Sequence, residues 1–212
     1  MQLAGDHLRL LPERAAYWVE RETLLVADTH WGKAATMRAA AIPIPHGTTE
    51  EDLARLSRAV ERTKARRLLL LGDVLHARQG RAPLTLRKVI DWREKHPNLG
   101  IRMVRGNHDL GAGDPPEAMR LDCFDSPLVE GPFVFQHHPA PSPLGYTLAG
   151  HTHPAIRLRG SAGNRATLPC FHFTESFGVL PAFGSLTGMA RICPVPSDRV
   201  FAIADDEVLV IM

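Results

Sequence analysis

The chain has 212 residues, 44% of them hydrophobic, and a formal net charge of +2. That size and composition fit one globular domain over residues 1–212, with a core needing no disulfide staples, and exclude a disordered chain. The small charge makes no electrostatic case for nucleic-acid binding by itself, and an apolar run such as Leu68–Leu71 is far too short to span a bilayer.

Cys123, Cys170 and Cys193 are too few and too scattered for a disulfide framework or a cysteine zinc site. With no apolar leader around Asp6, they read as reduced thiols of a cytoplasmic protein away from membranes. The basic residues are mostly arginine, which suits phosphate contact. The anomaly is the 11 histidines, most of them in short clusters.

In chain order, residues 8–11 and 16–19 read as strands about a turn at Pro12, and 23–27 as a compact apolar strand ending at Asp28. A short helical stretch and a Pro43/Pro45 loop follow. Thr48 and Glu51 form a capping-box pattern, and Leu53, Leu56 and Val60 recur at helical spacing through Ala65. Residues 67–71 form the next strand, ending at Gly72-Asp73. A helix over 84–96 is stopped by Pro97, and a strand over 101–104 ends at Gly106-Asn107-His108-Asp109. Strands alternating with helices imply βαβ units and a partly parallel sheet. Beyond residue 128 helix signals fade. Strands over 128–135, 147–149, 155–159, 201–204 and 208–211 imply a second sheet packed on the first. The expected fold is a layered α/β sandwich, two mixed sheets flanked by helices.

Five polar clusters sit at or just after strand ends: Asp28-Thr29-His30, Gly72-Asp73, Gly106-Asn107-His108-Asp109, His137-His138 and Gly150-His151-Thr152-His153. Open α/β sheets place ligands there. Asp28 and His30, like His151 and His153, stand two apart, which in extended backbone points both side chains to one face. Carboxylate, imidazole and amide oxygen together suit manganese, iron or zinc. Gly-Asp after a strand is ordinarily a turn. A core histidine normally comes singly, so two tight histidine clusters point to ligation.

The set resembles the calcineurin-like metallophosphoesterase superfamily, whose motifs run D-x-H, G-D, G-N-H-D/E, H and G-H-x-H. The segments Asp28-Thr29-His30-Trp31-Gly32-Lys33-Ala34, Ile42-Pro43-Ile44-Pro45-His46-Gly47-Thr48 and Leu180-Pro181-Ala182-Phe183-Gly184 resemble a narrower group. These are the bacterial ligase-associated DNA-damage-response phosphoesterases, described as nucleases. Thr29 and Trp31 depart from the leucines expected around the histidine; the ligands are kept.

The resemblance implies two divalent ions, manganese first, with iron or zinc as alternatives. Asp28, His30 and His153 would hold one ion, Asn107, His137 and His151 the other, and Asp73 would bridge them. His137 is preferred to His138 by the same resemblance. A shared carboxylate offsets the repulsion of paired cations, which generate hydroxide from bound water and neutralise phosphoryl charge. His108 would protonate the leaving oxygen. Asp109 would orient His108, or else serve as a helix cap or turn residue. The implied substrate is a phosphate ester, DNA first, with DNA ligase or helicase as associated partners. Nucleotide hydrolysis and an inactive interaction scaffold are the other readings.

Lys33 and Arg105, beside these motifs, are secondary candidates for phosphate contact. His46, in a proline-flanked loop, is one for the cleft wall. His7, His76, His96 and His172 read as surface or packing residues, and Phe171, Phe173, Phe177 and Phe183 as core of the second sheet.

Overall fold

The computed structural model describes residues 1–45, 47–159 and 163–212. The chain builds the expected two mixed sheets. The first runs in spatial order β1 (Gln2–Leu3), β2 (Asp6–Leu11), β3 (Ala15–Trp18), β4 (Thr23–Val26), β5 (Arg67–Leu71), β6 (Gly100–Val104), β7 (Asp122–Phe124). From β4 to β7 neighbours are parallel, joined by α1 (Lys33–Ala39) and α2 (Thr48–Thr63), then α3 (Pro83–Lys95), then α4 (Asn107–Ala112). The second sheet contains β8 (Leu128–Glu130), β9 (Phe133–Phe135), β10 (Tyr146–Ala149), β11 (Pro154–Arg159), β12 (Arg165–Phe173), β13 (Phe177–Val179), β14 (Ala190–Arg191), β15 (Arg199–Ala204) and β16 (Glu207–Val210). Within it β9, β10 and β13 are parallel.

Strand alternation explains the layers. Leu24, Val26, Leu68 and Leu70 face a core shared with the helices; Leu25, Leu69 and Leu71 face a core shared with the second sheet. A strand buried on both faces reads as an unbroken apolar run. Phe133, Phe135, Phe171 and Phe173 fill the inter-sheet core, with Trp18 packed edge-on to Phe133 at 5.1 Å. Phe183 belongs instead to the helix-side core, because residues 180–184 leave the second sheet and cross to the first.

Three local expectations change. The 128–135 segment is a hairpin rather than one strand, since Gly131 (φ 56°) turns the chain and pairs Leu128 with Phe135. The Thr48–Glu51 capping box does not form: the helix is entered through Gly47 (φ 99°), whose carbonyl accepts the Glu51 N–H at 2.9 Å. The nine-residue strand β12 carries no clear alternation and was not expected.

The two sheets are stitched beside the polar clusters. Phe183 N–H donates to Ala27 carbonyl (2.8 Å) and Gly184 N–H to Asp28 carbonyl (3.0 Å). Asp52, buried on α2, ties that segment down: it accepts the Ser185 N–H at 3.1 Å and the Ser185 hydroxyl at 2.5 Å, and pairs with Arg55 at 2.6 Å. Asp52→Ala removes the carboxylate that neutralises the half-buried Arg55 guanidinium and leaves the Ser185 N–H unpartnered, so it should destabilise by about 3 kcal/mol. Urea unfolding checks this; a loss below about 0.5 kcal/mol, the scale of a neutral surface change, would contradict it.

Candidate metal centre

The polar clusters lie at the carboxyl ends of parallel strands in both sheets. Asp28 follows β4, Asp73 follows β5 and Asn107 follows β6; His137 follows β9 and His151 follows β10. The extended-backbone rationale for the paired spacings is overturned. Asp28, His30, Asp73, His151 and His153 all hold left-handed φ, between 44° and 71°. Such backbone costs about 1–3 kcal/mol per residue and persists where the surroundings enforce it, typically at functional sites. Two glycines make room for the crowding. A Cβ on Gly106 would sit 2.3 Å from Asp73 Oδ1, and one on Gly150 would sit 2.5 Å from Asp28 Oδ2.

The side chains converge. Asp28, Asp73 and His137 bring one ligand atom each within 4.8 Å of the others, and Asp28, His30 and His153 do the same. His153 Nε2 lies 3.6 Å from Asp28 Oδ1 and 3.4 Å from His30 Nε2. On the other side His137 Nε2 stands 3.1 Å from Asn107 Oδ1 and 3.0 Å from His151 Nδ1. Asp73 Oδ2 lies between the two groups, 3.3 Å from His137 Nε2 and 3.8 Å from His30 Nε2. All seven sequence-derived ligand candidates therefore meet in one place.

The arrangement fits divalent cations. His137 Nδ1–H donates to Leu71 carbonyl at 3.1 Å, which aims Nε2 into the cluster. Burial holds His30 neutral, pushed down to about 3. Burial alone would raise Asp73, but the His137 hydrogen bond and charge, with the His108 N–H, hold it down to about 2. Asp28, 0% exposed, accepts the His151 N–H at 2.9 Å through Oδ2. Carboxylate oxygens and imidazole nitrogens thus face one another at short range, as metal donors do. His138 is exposed, yet it also brings a ring nitrogen within 4.8 Å of ligand atoms of His137 and His151, its ring standing 4.9 Å from His137 and 4.1 Å from His151.

His108 is half-exposed at the rim. Its N–H donates to Asp73 Oδ1 at 3.0 Å, and Nε2 faces the cluster 3.9 Å from Asp73 Oδ2. Asp109 does not orient its ring. Oδ1 of Asp109 accepts the Val74 and Leu75 N–H groups (2.9 and 3.0 Å), and Oδ2 accepts the Gly106 N–H at 2.9 Å, as a cap of α4. The ring is fixed instead by His76 carbonyl, 2.7 Å from His108 Nδ1. His76, read from sequence as a packing residue, belongs to the site: it stacks on His108 at 4.7 Å, and its Nδ1 is 3.2 Å from His30 Nδ1. Its offset of three residues from Asp73 was the available signal.

Arg105 is occupied by Asp114 and Asp125 (2.7 and 2.9 Å), which removes it from the phosphate candidates. Lys33 lines a small cleft beside His30, with its pKa lowered by burial. His7, His96 and His172 bond Glu20, Ser57 and Asp198, and His46 lies outside the described residues.

No protein-family model matches the chain, and no curated protein does. Among solved structures, it is similar to the nuclease MPE of Pseudomonas putida: 44% identity, TM-score 0.88, covering 100% of this chain and 98% of that one. The chain belongs to the calcineurin-like metallophosphoesterases. The E. coli phosphoesterase Yfce is more distant, at 14% identity and TM-score 0.42, with 88% and 95% covered. As a member of this group, the metallophosphoesterase described here is a hydrolase of phosphoester bonds. Among the described residues no helix is long and apolar enough to cross a membrane.

Proposed function

We propose that this metallophosphoesterase is a two-metal phosphodiesterase acting on nucleic acid, DNA first, in a cytoplasmic repair setting alongside a DNA ligase or helicase. One observation carries the reading: a single buried carboxylate, Asp73, stands between two donor groups, His30 with His153 and Asn107 with His137 and His151. Full-length similarity to a named nuclease supports the polymeric substrate.

Asp28, His30 and His153 would hold one ion and Asn107, His137 and His151 the other, with Asp73 shared. When bound, such ions supply a nucleophilic water at neutral pH and neutralise charge on the phosphoryl oxygens. Manganese suits the mixed oxygen and imidazole donors, with iron or zinc close behind. The chain's own residues supply the rest. His151 N–H holds the Asp28 carboxylate in place, and Leu71 carbonyl fixes the His137 ring. His76 carbonyl engages His108 Nδ1, so His108 Nε2 is the atom presented to a substrate phosphate. From there it donates a proton to the departing oxygen.

The test is cleavage of single-stranded DNA, a nucleotide monoester and a chromogenic diester by Mn2+-supplemented protein, with and without chelator. Chelator-sensitive cleavage of DNA and diester is expected. Activity confined to the nucleotide would replace the nuclease reading. Inactivity on every substrate would point to an interaction scaffold.

A further inference from the structure

A groove of about 840 Å³ runs beside α2, lined by Arg14, Arg55, Arg58 and Arg62 together with Glu13, Asp205 and Asp206. A smaller cleft of about 80 Å³ shares Arg14 and Pro169 with it and is lined by His153. The two therefore adjoin at Arg14 and Pro169, and the smaller one borders the metal centre at His153. Arg55, Arg58 and Arg62 stand three and four residues apart, on one face of α2.

Arg14 is the unusual member. It occupies the β2–β3 turn at φ 60°, its N–H bonded to Leu11 carbonyl at 3.1 Å. Its side chain is half-buried, yet among the described residues it makes no ion pair or hydrogen bond. Burial and the neighbouring Arg55 both depress its pKa, outweighing Asp52. A half-desolvated guanidinium pressed toward another cation is stabilised by an anion with several acceptor oxygens. Arg55 is already engaged by Asp52 and Phe183 carbonyl and stacks over the Phe183 ring at 4.6 Å, forming a rigid floor. Arg62 is held by Glu13 at 2.9 Å, while Arg58 is exposed and unpaired among the described residues.

We propose that Arg14 and Arg58, in the groove adjoining the cleft that borders the metal centre at His153, grip the backbone phosphates of single-stranded nucleic acid. The proposal rests on the phosphodiesterase reading and names how its polymeric substrate is held. A groove whose lining mixes arginines with Asp205 and Asp206 accommodates one phosphate backbone; the second strand of a duplex would meet these carboxylates.

The test is fluorescence anisotropy with a phosphorothioate-linked single strand of about 12 nucleotides, within the span single-strand grooves usually cover. Arg14→Ala with Arg58→Ala should weaken binding about ten-fold and lower the log–log salt slope by about 1.4, two contacts at roughly 0.7 each. Arg58→Ala alone, on an exposed position, should weaken binding about three-fold and guards against misfolding of Arg14→Ala. Arg87→Ala, exposed on α3 outside the groove lining, should leave affinity unchanged. Unaltered affinity in the groove variants, an equal loss in Arg87→Ala, or tighter binding of duplex than of single strand would overturn the proposal. If wild-type protein cleaves no diester while these losses persist, the catalytic reading fails and the groove stands. If it cleaves DNA while affinities do not move, the groove alone fails.

Discussion

Asp73→Asn should reduce metal content from two ions per chain to one or fewer, and diester turnover by about a thousand-fold. Asp73 is 2% exposed, and Oδ2 is the atom that faces both His30 and His137. Asparagine has the same shape and keeps an acceptor for the His108 N–H, which Oδ1 now takes at 3.0 Å. The substitution therefore spares the loop and removes the negative charge. Two cations held close together repel strongly unless an anion lies between them. A bound cation supplies several kcal/mol of transition-state charge stabilisation, and each 1.36 kcal/mol is about ten-fold in rate. Elemental analysis and a chromogenic diester assay check the two halves separately. Full occupancy in the variant would remove Asp73 from the bridging role.

The second large effect concerns proton delivery. His108→Ala should keep both ions and lose about 100- to 10,000-fold in DNA cleavage, the usual range for a positioned acid. The loss should be far smaller for a p-nitrophenyl ester, whose leaving group departs without a proton. That contrast separates an acid from a structural residue. His108 is suited to the role because its Nδ1 is occupied by His76 carbonyl, so Nε2 is the atom presented to substrate. Equal losses on both substrates would point to phosphate binding alone, and normal DNA turnover would exclude His108 from the chemistry.

Much of this was readable in the residues. The apolar runs ending at Asp28, Asp73 and Asn107 report strands buried on both faces, and that burial sets the polar residues at strand ends. The seven ligand candidates assemble as their motifs implied, but by a different backbone route. Left-handed φ at Asp28, His30, His151 and His153 does what extended spacing was expected to do. Sequence periodicity carries no mark of left-handed backbone at Asp or His, which is why the route was missed. His76 was missed because its contribution is partly a backbone carbonyl, invisible in any side-chain pattern. For Asp109 the sequence left orienting His108 and capping a helix both open, and the fold decides for the cap: its carboxylate serves the Val74, Leu75 and Gly106 N–H groups of neighbouring loops, which only the tertiary structure brings together. The Arg14 groove is likewise tertiary, since its wall joins a hairpin turn to a helix about 40 residues further on.

Anomalous scattering from crystals grown with Mn2+ bears most directly on the metal centre. The proposed two-metal reading predicts two peaks roughly 3.5–4 Å apart, with Asp73 between them, one beside Asp28, His30 and His153 and the other beside Asn107, His137 and His151. A single peak, or ions bound away from Asp73, would contradict it.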